Sequence, residues 1–235
     1  MASTHTNGGM AAPTADIILR NGPIWCGRAE GVVEALAIWR GLVLAAGRDD
    51  EIARFRGPDT RVIAIAGRLA TPGLNDSHLH LVSLGLVMDW VDAKPAAAPT
   101  LQSLLDAIAA RARLLGPGKW VRARGYDQTK PDVGRHPLRE ERDRAAPDNP
   151  VMLVRACGHI SICNSLALKA GGIDESTPTP PGGLIEQRAG RLTGLLAENA
   201  RDPVRAAIPK PSEDEIVACI ERAGRRLLSL GITSC

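Results

Sequence analysis

Two histidines one residue apart, His78 and His80, are the residues of this sequence whose type and spacing best suit chemistry. In a β-strand, side chains alternate between the two faces, so residues i and i+2 point the same way. We therefore expect both imidazoles to project into one space at the end of a short extended segment. Two neutral imidazole nitrogens placed in this way suit a divalent metal ion such as zinc, which binds imidazole at roughly 2.0–2.1 Å. The alternative is two partly exposed strand histidines without a metal.

Asp76 lies two residues before His78, on the same face of the expected strand. A carboxylate in that position can orient an imidazole by accepting its second N–H, a common role beside metal sites. The other interpretation is that the acid caps the backbone of its own turn.

The segment around these histidines resembles the metal-dependent amidohydrolase superfamily. Residues 72–80 match its pattern of Pro-Gly, a hydrophobic residue, Asp or Asn, and then His-x-His. Further blocks follow in the order typical of the amidohydrolase-3 branch, which contains the N-substituted formamide deformylases: residues 125–127, 150–151, 158–159, 164–168, 171–173, 181–183, 193–198 and 231–234. Several blocks in the right order are more specific than any one of them.

The resemblance implies hydrolysis of carbon–nitrogen bonds other than peptide bonds, in an amide or an N-substituted formamide, by metal-activated water. His78 and His80 would be ligands of a divalent metal, with zinc as the expected ion. No residue is assigned as the catalytic base, because the family places its base beyond the position that corresponds to Cys235.

The resemblance also implies substrate binding by His159 and Asn164, with the asparagine ordering the loop that they share. The alternative for His159 is a structural histidine bonded within its own loop. Glu198 is more readily interpreted as a solvated glutamate at a helix start than as part of the site. His136 lies in a polar loop beside a glycine and a proline, and we expect it to be exposed.

The pattern of apolar residues changes near residue 70. Residues 1–14 are predicted to be a disordered tail, and residues 15–70 contain short apolar runs separated by turn signals. Asn21-Gly22 and Arg40-Gly41 are both typical of hairpins. In residues 71–235, strand-like runs alternate with helix-like runs, such as those beginning at Thr100 and at the capping box Ser212-x-x-Glu215.

This alternation indicates an α/β fold with a parallel sheet or barrel. Together with the resemblance, it predicts the first part of a (β/α)8 TIM-like barrel in residues 71–235. The amino-terminal part of a small β-sandwich would precede it in residues 15–70. Such a composite arrangement is the urease-like amidohydrolase architecture.

The chain has 235 residues, whereas a complete barrel takes roughly 250 residues by itself. We therefore expect the amino-terminal part of a longer enzyme, since the family's later ligands have no counterparts here. The alternative is a catalytically incomplete fragment, or one piece of a split amidohydrolase, without independent activity. A β-rich binding module with an α/β extension is a third hypothesis, which predicts no metal dependence.

Composition limits the classes of partner. The formal net charge is +3 and the basic residues are dispersed, so we expect no nucleic-acid partner. No apolar run approaches the ~20 residues that span a bilayer. Five cysteines without a Cys-x-x-Cys pair favour a reducing compartment and hence the cytoplasm. The expected partner is a small-molecule amide, with a complementary carboxyl-terminal piece or a homo-oligomer as open alternatives.

By itself, the 235-residue chain is expected to hold zinc weakly and to show little or no amidase activity. Two imidazoles fall short of the three protein ligands that a catalytic zinc ion uses. The measurement is metal content after dialysis, together with turnover of simple N-substituted formamides. Retention of one zinc ion per chain with robust turnover would contradict the expectation.

Overall fold

A computed structural model describes residues 13–129, 132 and 134–235 of the chain. These residues form two compact units. The first contains the chain up to His78 together with Leu230–Cys235, and the second is Leu79–Ser229. Most of the predicted disordered tail, residues 1–12, lies outside the described residues.

The first unit consists mainly of short strands. Its elements up to the histidines are β1 (Ile17–Arg20), β2 (Ile24–Trp25), β3 (Val32–Val33), β4 (Ala35–Trp39), β5 (Leu42–Gly47), α1 (Asp49–Ala53), β6 (Arg61–Ala64) and β7 (Leu74–Asn75). Four strands form one sheet in the order β5-β4-β1-β6, in which β6 is parallel to β1 and the other pairs are antiparallel. Ala15, Ile18, Ala37 and Ile52 belong to its buried core.

Of the two predicted hairpins in this unit, one forms. Arg40 and Gly41 both have positive φ and join β4 to β5, as a tight antiparallel turn requires. The hairpin predicted at Asn21-Gly22 is wrong, because β1 already pairs with β4 on one side and with β6 on the other. The chain after Gly22 instead forms β2, which pairs with β3.

The last strand of the chain, β14 (Ile232–Ser234), pairs in parallel with β7. Leu74 lies opposite Ile232, and Asn75 lies opposite Ser234. The Ser234 hydroxyl donates to the Asn75 side-chain oxygen at 2.8 Å. The strand that precedes the two histidines therefore finds its partner about 160 residues further along the chain.

The second unit is a mixed α/β fold. Its strands are β8 (Val91–Asp92), β9 (Val121–Tyr126), β10 (Val151–Arg155), β11 (Ile160–Cys163), β12 (Leu184–Arg188) and β13 (Arg191–Ala197). Its helices are α2 (Leu81–Val87), α3 (Leu101–Leu115), α4 (Arg139–Ala145), α5 (Ser165–Ala170), α6 (Asp202–Ala207) and α7 (Glu213–Ser229), with a short 3-10 helix at Glu198–Arg201.

The six strands of this unit form one sheet in the order β12-β13-β11-β10-β9-β8. Only β8, β9 and β10 are parallel, and the remaining three strands are added antiparallel. The predicted α/β character is confirmed. The predicted run of parallel strands does not continue past β10, because β11 turns back beside it after a loop of only four residues. That is too short for a parallel crossover.

Both predicted helix starts are confirmed. The Thr100 hydroxyl accepts from the backbone N–H of Ser103 at 3.0 Å and caps α3. Before α7, the Ser212 and Glu215 side chains each accept from the other residue's backbone N–H, at 3.2 and 2.8 Å. Such local bonds satisfy backbone donors that the first turn of a helix leaves without partners.

Helices α2 and α7 pack closely because Gly85 has no side chain. A Cβ at Gly85 would overlap the backbone carbonyl group of Cys219 in α7. Both helices lie within the second unit, so this contact joins the beginning of the unit to its end.

The substitution Gly85→Ala is expected to lower the free energy of unfolding by about 1–3 kcal/mol, the usual cost of overpacking. The control is Gly224→Ala in α7, where an added Cβ would meet no atom within 4 Å. That change should stabilise the helix by roughly 0.5–1 kcal/mol. Urea unfolding of both variants measures the difference, and equal effects would contradict the proposed close packing.

Candidate functional site

His78 and His80 are both exposed and follow strand β7 rather than lying on it. The strand ends at Asn75, His78 lies in a bend, and His80 is the residue that precedes α2. The His80 carbonyl accepts from the backbone N–H of Leu84 at 2.9 Å. The predicted extension of the strand through His80 is therefore wrong, and strand alternation does not set the directions of the two imidazoles. Their role as metal ligands stays a prediction.

Asp76 is bonded to the backbone of its own turn. Its carboxylate accepts from the backbone N–H of His78 at 3.2 Å, and its own N–H donates to the carbonyl oxygen of Ser234 at 3.0 Å. This is the capping contact that the sequence left open as an alternative. An added role in orienting an imidazole stays a prediction.

His78 and His80 are suitable ligands for a divalent metal, but two ligands are fewer than a catalytic metal site needs. Imidazole is a common zinc ligand, and a catalytic zinc ion uses three protein ligands with an open fourth position. Across residues 13–129, 132 and 134–235, no three or more His, Cys, Asp or Glu side chains are grouped so that they could hold a metal ion. A complete site requires donors in addition to the two histidines.

His159 pairs with Glu198, a residue that the sequence predicts to be solvated. His159 Nδ1 lies 3.1 Å from a carboxylate oxygen of Glu198. The Glu198 backbone N–H also donates to the His159 carbonyl oxygen at 3.0 Å. The antiparallel register of β11 and β13 produces this double contact, since Ile160 lies opposite Ala197. The two side chains are 67% and 55% exposed, so the pair is open to solvent.

The backbone of Glu198 is unusual. Its φ is 50°, a left-handed conformation that non-glycine residues seldom adopt. The residue lies where β13 ends and the short 3-10 helix begins. This geometry turns its carboxylate toward His159 on the neighbouring strand end. A carboxylate on one ring nitrogen fixes the orientation of an imidazole and leaves Nε2 for another partner.

Asn164 is fully buried, and its side-chain hydrogen bonds to the described residues all join backbone groups. Its side-chain oxygen accepts from the N–H groups of Val151 and Ala167, at 2.8 and 3.0 Å. Its amide nitrogen donates to the carbonyl oxygens of Asn149 and Ala146, at 2.9 and 3.5 Å. The predicted substrate contact of Asn164 is therefore wrong, because no part of the side chain reaches the surface. Its role in ordering the loop agrees with these bonds.

His136 is half-buried rather than exposed as predicted. Its Nδ1 lies 3.0 Å from the hydroxyl of the buried Tyr126. Burial lowers the pKa of His136 and raises the pKa of Tyr126. The local sequence around His136 is polar, so it contains no signal for this contact with the end of β9.

Residues 61–235 match the amidohydrolase family. Because this match covers well over half of the chain, the chain belongs to that family. The resemblance found in the sequence motifs is thereby confirmed.

Two curated relatives and one solved structure illustrate the similarity. The N-substituted formamide deformylase of Arthrobacter pascens is 34% identical over 175 residues, which cover 74% of this chain and 32% of the relative. Protein LONG AFTER FAR-RED 3 of Arabidopsis thaliana is 31% identical over 230 residues, covering 95% of this chain and 38% of the relative. The crystal structure of an uncharacterized metal-dependent hydrolase from Pyrococcus horikoshii OT3 has a TM-score of 0.66 and 27% identity, covering 93% of this chain and 42% of that one.

The chain thus spans between 32% and 38% of the length of these two curated relatives. Within the part of the chain that the structure describes, no helix is both long enough and apolar enough to cross a membrane.

Replacing Asn164 by alanine should lower the free energy of unfolding by roughly 2–4 kcal/mol, because it leaves several buried backbone groups without partners. The matched control is Asn199→Ala. Asn199 is exposed and donates one side-chain bond, to the Pro181 carbonyl oxygen at 2.6 Å, so its loss should cost about 1 kcal/mol or less. Urea unfolding compares the two variants. An equal, small loss in both would contradict the structural role of Asn164.

Proposed function

We propose that this chain forms part of a metal-dependent hydrolase that acts on carbon–nitrogen bonds other than peptide bonds. The substrate class would be an amide or an N-substituted formamide. The observation that carries the proposal is the His-x-His segment at residues 78–80, directly after Pro-Gly and β7, in a member of the amidohydrolase family. Similarity to the N-substituted formamide deformylase of Arthrobacter pascens supports the proposed substrate class. Similarity to the metal-dependent hydrolase of Pyrococcus horikoshii supports the proposed metal dependence.

His78 and His80 would hold the divalent cation, with zinc as the proposed ion. A bound divalent cation supplies Lewis-acid polarisation of a carbonyl and lowers the pKa of water toward ~7. Asp76 would stabilise the turn that carries His78, through the bond to its backbone N–H. Because the described residues contain only this pair of candidate donors in family context, the other ligands and the base would come from elsewhere in a complete enzyme.

We further infer that β7 and β14 are neighbouring strands of a (β/α)8 barrel of which the chain contains a part. Their parallel pairing supports this inference, since parallel neighbours need a long crossover connection between them. The connection here is residues 76–231, in which α2 is the first helix and α7 is the last. The strands β8 to β13 would then form a unit inserted in that crossover, so the barrel portion predicted for residues 71–235 would be interrupted by them.

His159 would contact the substrate, and Glu198 would hold its imidazole. The support is the contact between Nδ1 and the carboxylate at 3.1 Å in an exposed pair. With the proton on Nδ1, Nε2 accepts a hydrogen bond from a substrate N–H or from water. Glu198 is a positioning residue in this scheme, since it acts through His159.

A second candidate is that the 235-residue chain has no independent activity and acts only with a complementary piece. The shortage of donors in the described residues favours it. The small-molecule partner and the cytoplasmic location stay predictions in either case.

In an enzyme that carries these same residues and spans the length of the relatives, His78→Ala and His80→Ala should each abolish activity and release metal. Loss of one ligand typically removes both the affinity for the ion and its correct placement. Metal content by atomic emission and turnover of an N-substituted formamide measure both effects. Full metal content with normal turnover in either variant would contradict the assignment.

The contrasting variant is His159→Ala in the same enzyme. It should lower kcat/KM, because a contact with the substrate is lost. The metal content should stay at the wild-type value, because no metal ligand is removed. Glu198→Gln should give a smaller decrease of the same kind, because the amide still accepts a hydrogen bond. If His159→Ala released the metal, His159 would be a ligand or a support for one, and wild-type kinetics would refute its contact with substrate.

A further inference from the structure

A cavity of about 440 Å³ in the second unit has a charged lining that is entirely cationic. Among the residues that the structure describes, no carboxylate lines the cavity, and five cations do: Arg122, Arg124, Arg201, Arg205 and Lys210. Trp90, Met152 and Val154 supply apolar walls. The volume lies in the range typical of small-molecule sites, roughly 300–1,000 Å³.

The strand pattern places two of these cations on one side of the sheet. In β9, Val121 and Ala123 are fully buried in one apolar cluster. Arg122 and Arg124 alternate with them and therefore face the other side. Opposite them in the register of β10 are Met152 and Val154, which line the same cavity.

Arg201 is held in place before any ligand binds. Its side chain is largely buried, with 9% of the residue exposed. Its Nε donates to the Ser161 hydroxyl at 2.9 Å, and Nη1 donates to the Gly158 carbonyl oxygen. Both acceptors are neutral groups, so the two bonds orient the guanidinium without neutralising its charge.

Arg122 is also oriented by its surroundings. Its guanidinium carbon lies 5.1 Å from the centre of the Trp90 ring, a cation–π contact. Burial lowers the pKa of Arg122, and the carboxylates of Asp89 and Glu215 oppose that effect from a distance.

The positive charge of the cavity is poorly compensated. Among the described residues, Arg205 has an ion pair, at 3.4 Å to Asp202, whereas Arg122, Arg124, Arg201 and Lys210 have no carboxylate within 4.0 Å. Burial lowers the pKa of Arg201, and the neighbouring charge of Arg205 acts in the same direction. Partly desolvated like charges cost free energy unless an opposite charge is added.

We propose that this cavity binds a small organic anion through a carboxylate or phosphate group. The planar guanidinium groups match the two oxygens of such a group, and the exposed Lys210 and Arg205 at its side add flexible donors. None of these cations belongs to the predicted metal site, so the inference does not depend on the hydrolase proposal.

The test is calorimetric titration of the 235-residue chain with inorganic phosphate and, separately, with malonate. We expect saturable binding of at least one of them, weakened by added salt as screened charges require. Tighter binding of phosphate would identify a phosphate ligand, and tighter binding of malonate a carboxylate ligand. Absence of saturable binding for both would overturn the proposal.

The double variant Arg124→Gln/Lys210→Gln should weaken binding by about tenfold or more, because two charged donors are lost. Each single variant should weaken it by about threefold, which provides the test if the double variant does not fold. The control is Arg225→Gln, an exposed arginine paired with Glu221 at 3.0 Å in α7, outside the cavity. Its affinity should stay within about twofold of the wild type. Equal weakening in the control, or none in the cavity variants, would refute the site.

Discussion

The buried side chain of Asn164 is the contact on which the arrangement of the second unit most depends. One amide group bonds to the start of β10, to the first turn of α5, and to the segment between α4 and β10. Its backbone N–H also donates to the carbonyl oxygen of Val151 at 3.2 Å. Because these bonds are shielded from water, losing one leaves a desolvated group without a partner. They hold β11 against β10 in one register.

That register determines which side chains meet at the other end of β11. With β10 beside β11 and β13 on its far edge, Ile160 lies opposite Ala197. The residues that flank this pair, His159 and Glu198, are then brought together although they are 39 positions apart in the sequence. In the loop before β11, the Gly158 carbonyl oxygen accepts a hydrogen bond from Arg201. A buried structural asparagine thus supports both the exposed His159–Glu198 pair and the cationic cavity through its bonds to the backbone.

The two faces of the sheet in this unit differ in the charges that they carry beside β9. On one face, Val121, Ala123, Val151 and Leu153 are buried completely in an apolar cluster. On the other face, Arg122 and Arg124 lie opposite Met152 and Val154 of β10 and line the same cavity as Arg201. Apolar burial stabilises the sheet at roughly 25 cal/mol per Å² of buried area, and it occurs on the second face too, since Met152 and Val154 belong to another buried apolar cluster. This burial would offset the cost of the partly desolvated cations on the second face.

Several features were predictable because they depend on nearby residues. The caps at Thr100 and Ser212, the turn at Arg40-Gly41 and the ordered motif blocks all involve neighbours within a few positions. The motif blocks were sufficient to identify the family, and they also pointed to His78, His80 and His159.

The tertiary structure decided the rest, because those features depend on which distant segments pack together. The pairing of β7 with β14, the antiparallel return at β11, the burial of Asn164 and the contact of His159 with Glu198 join residues far apart in the chain. Side-chain periodicity tells which face of a strand is apolar, but it does not specify the neighbouring strand or where the strand ends. The sequence therefore determined the family and the candidate ligands of this protein. Long-range strand pairing and burial decided which polar residues are enclosed in structural contacts, as Asn164 is, and which are exposed, as His159 and Glu198 are.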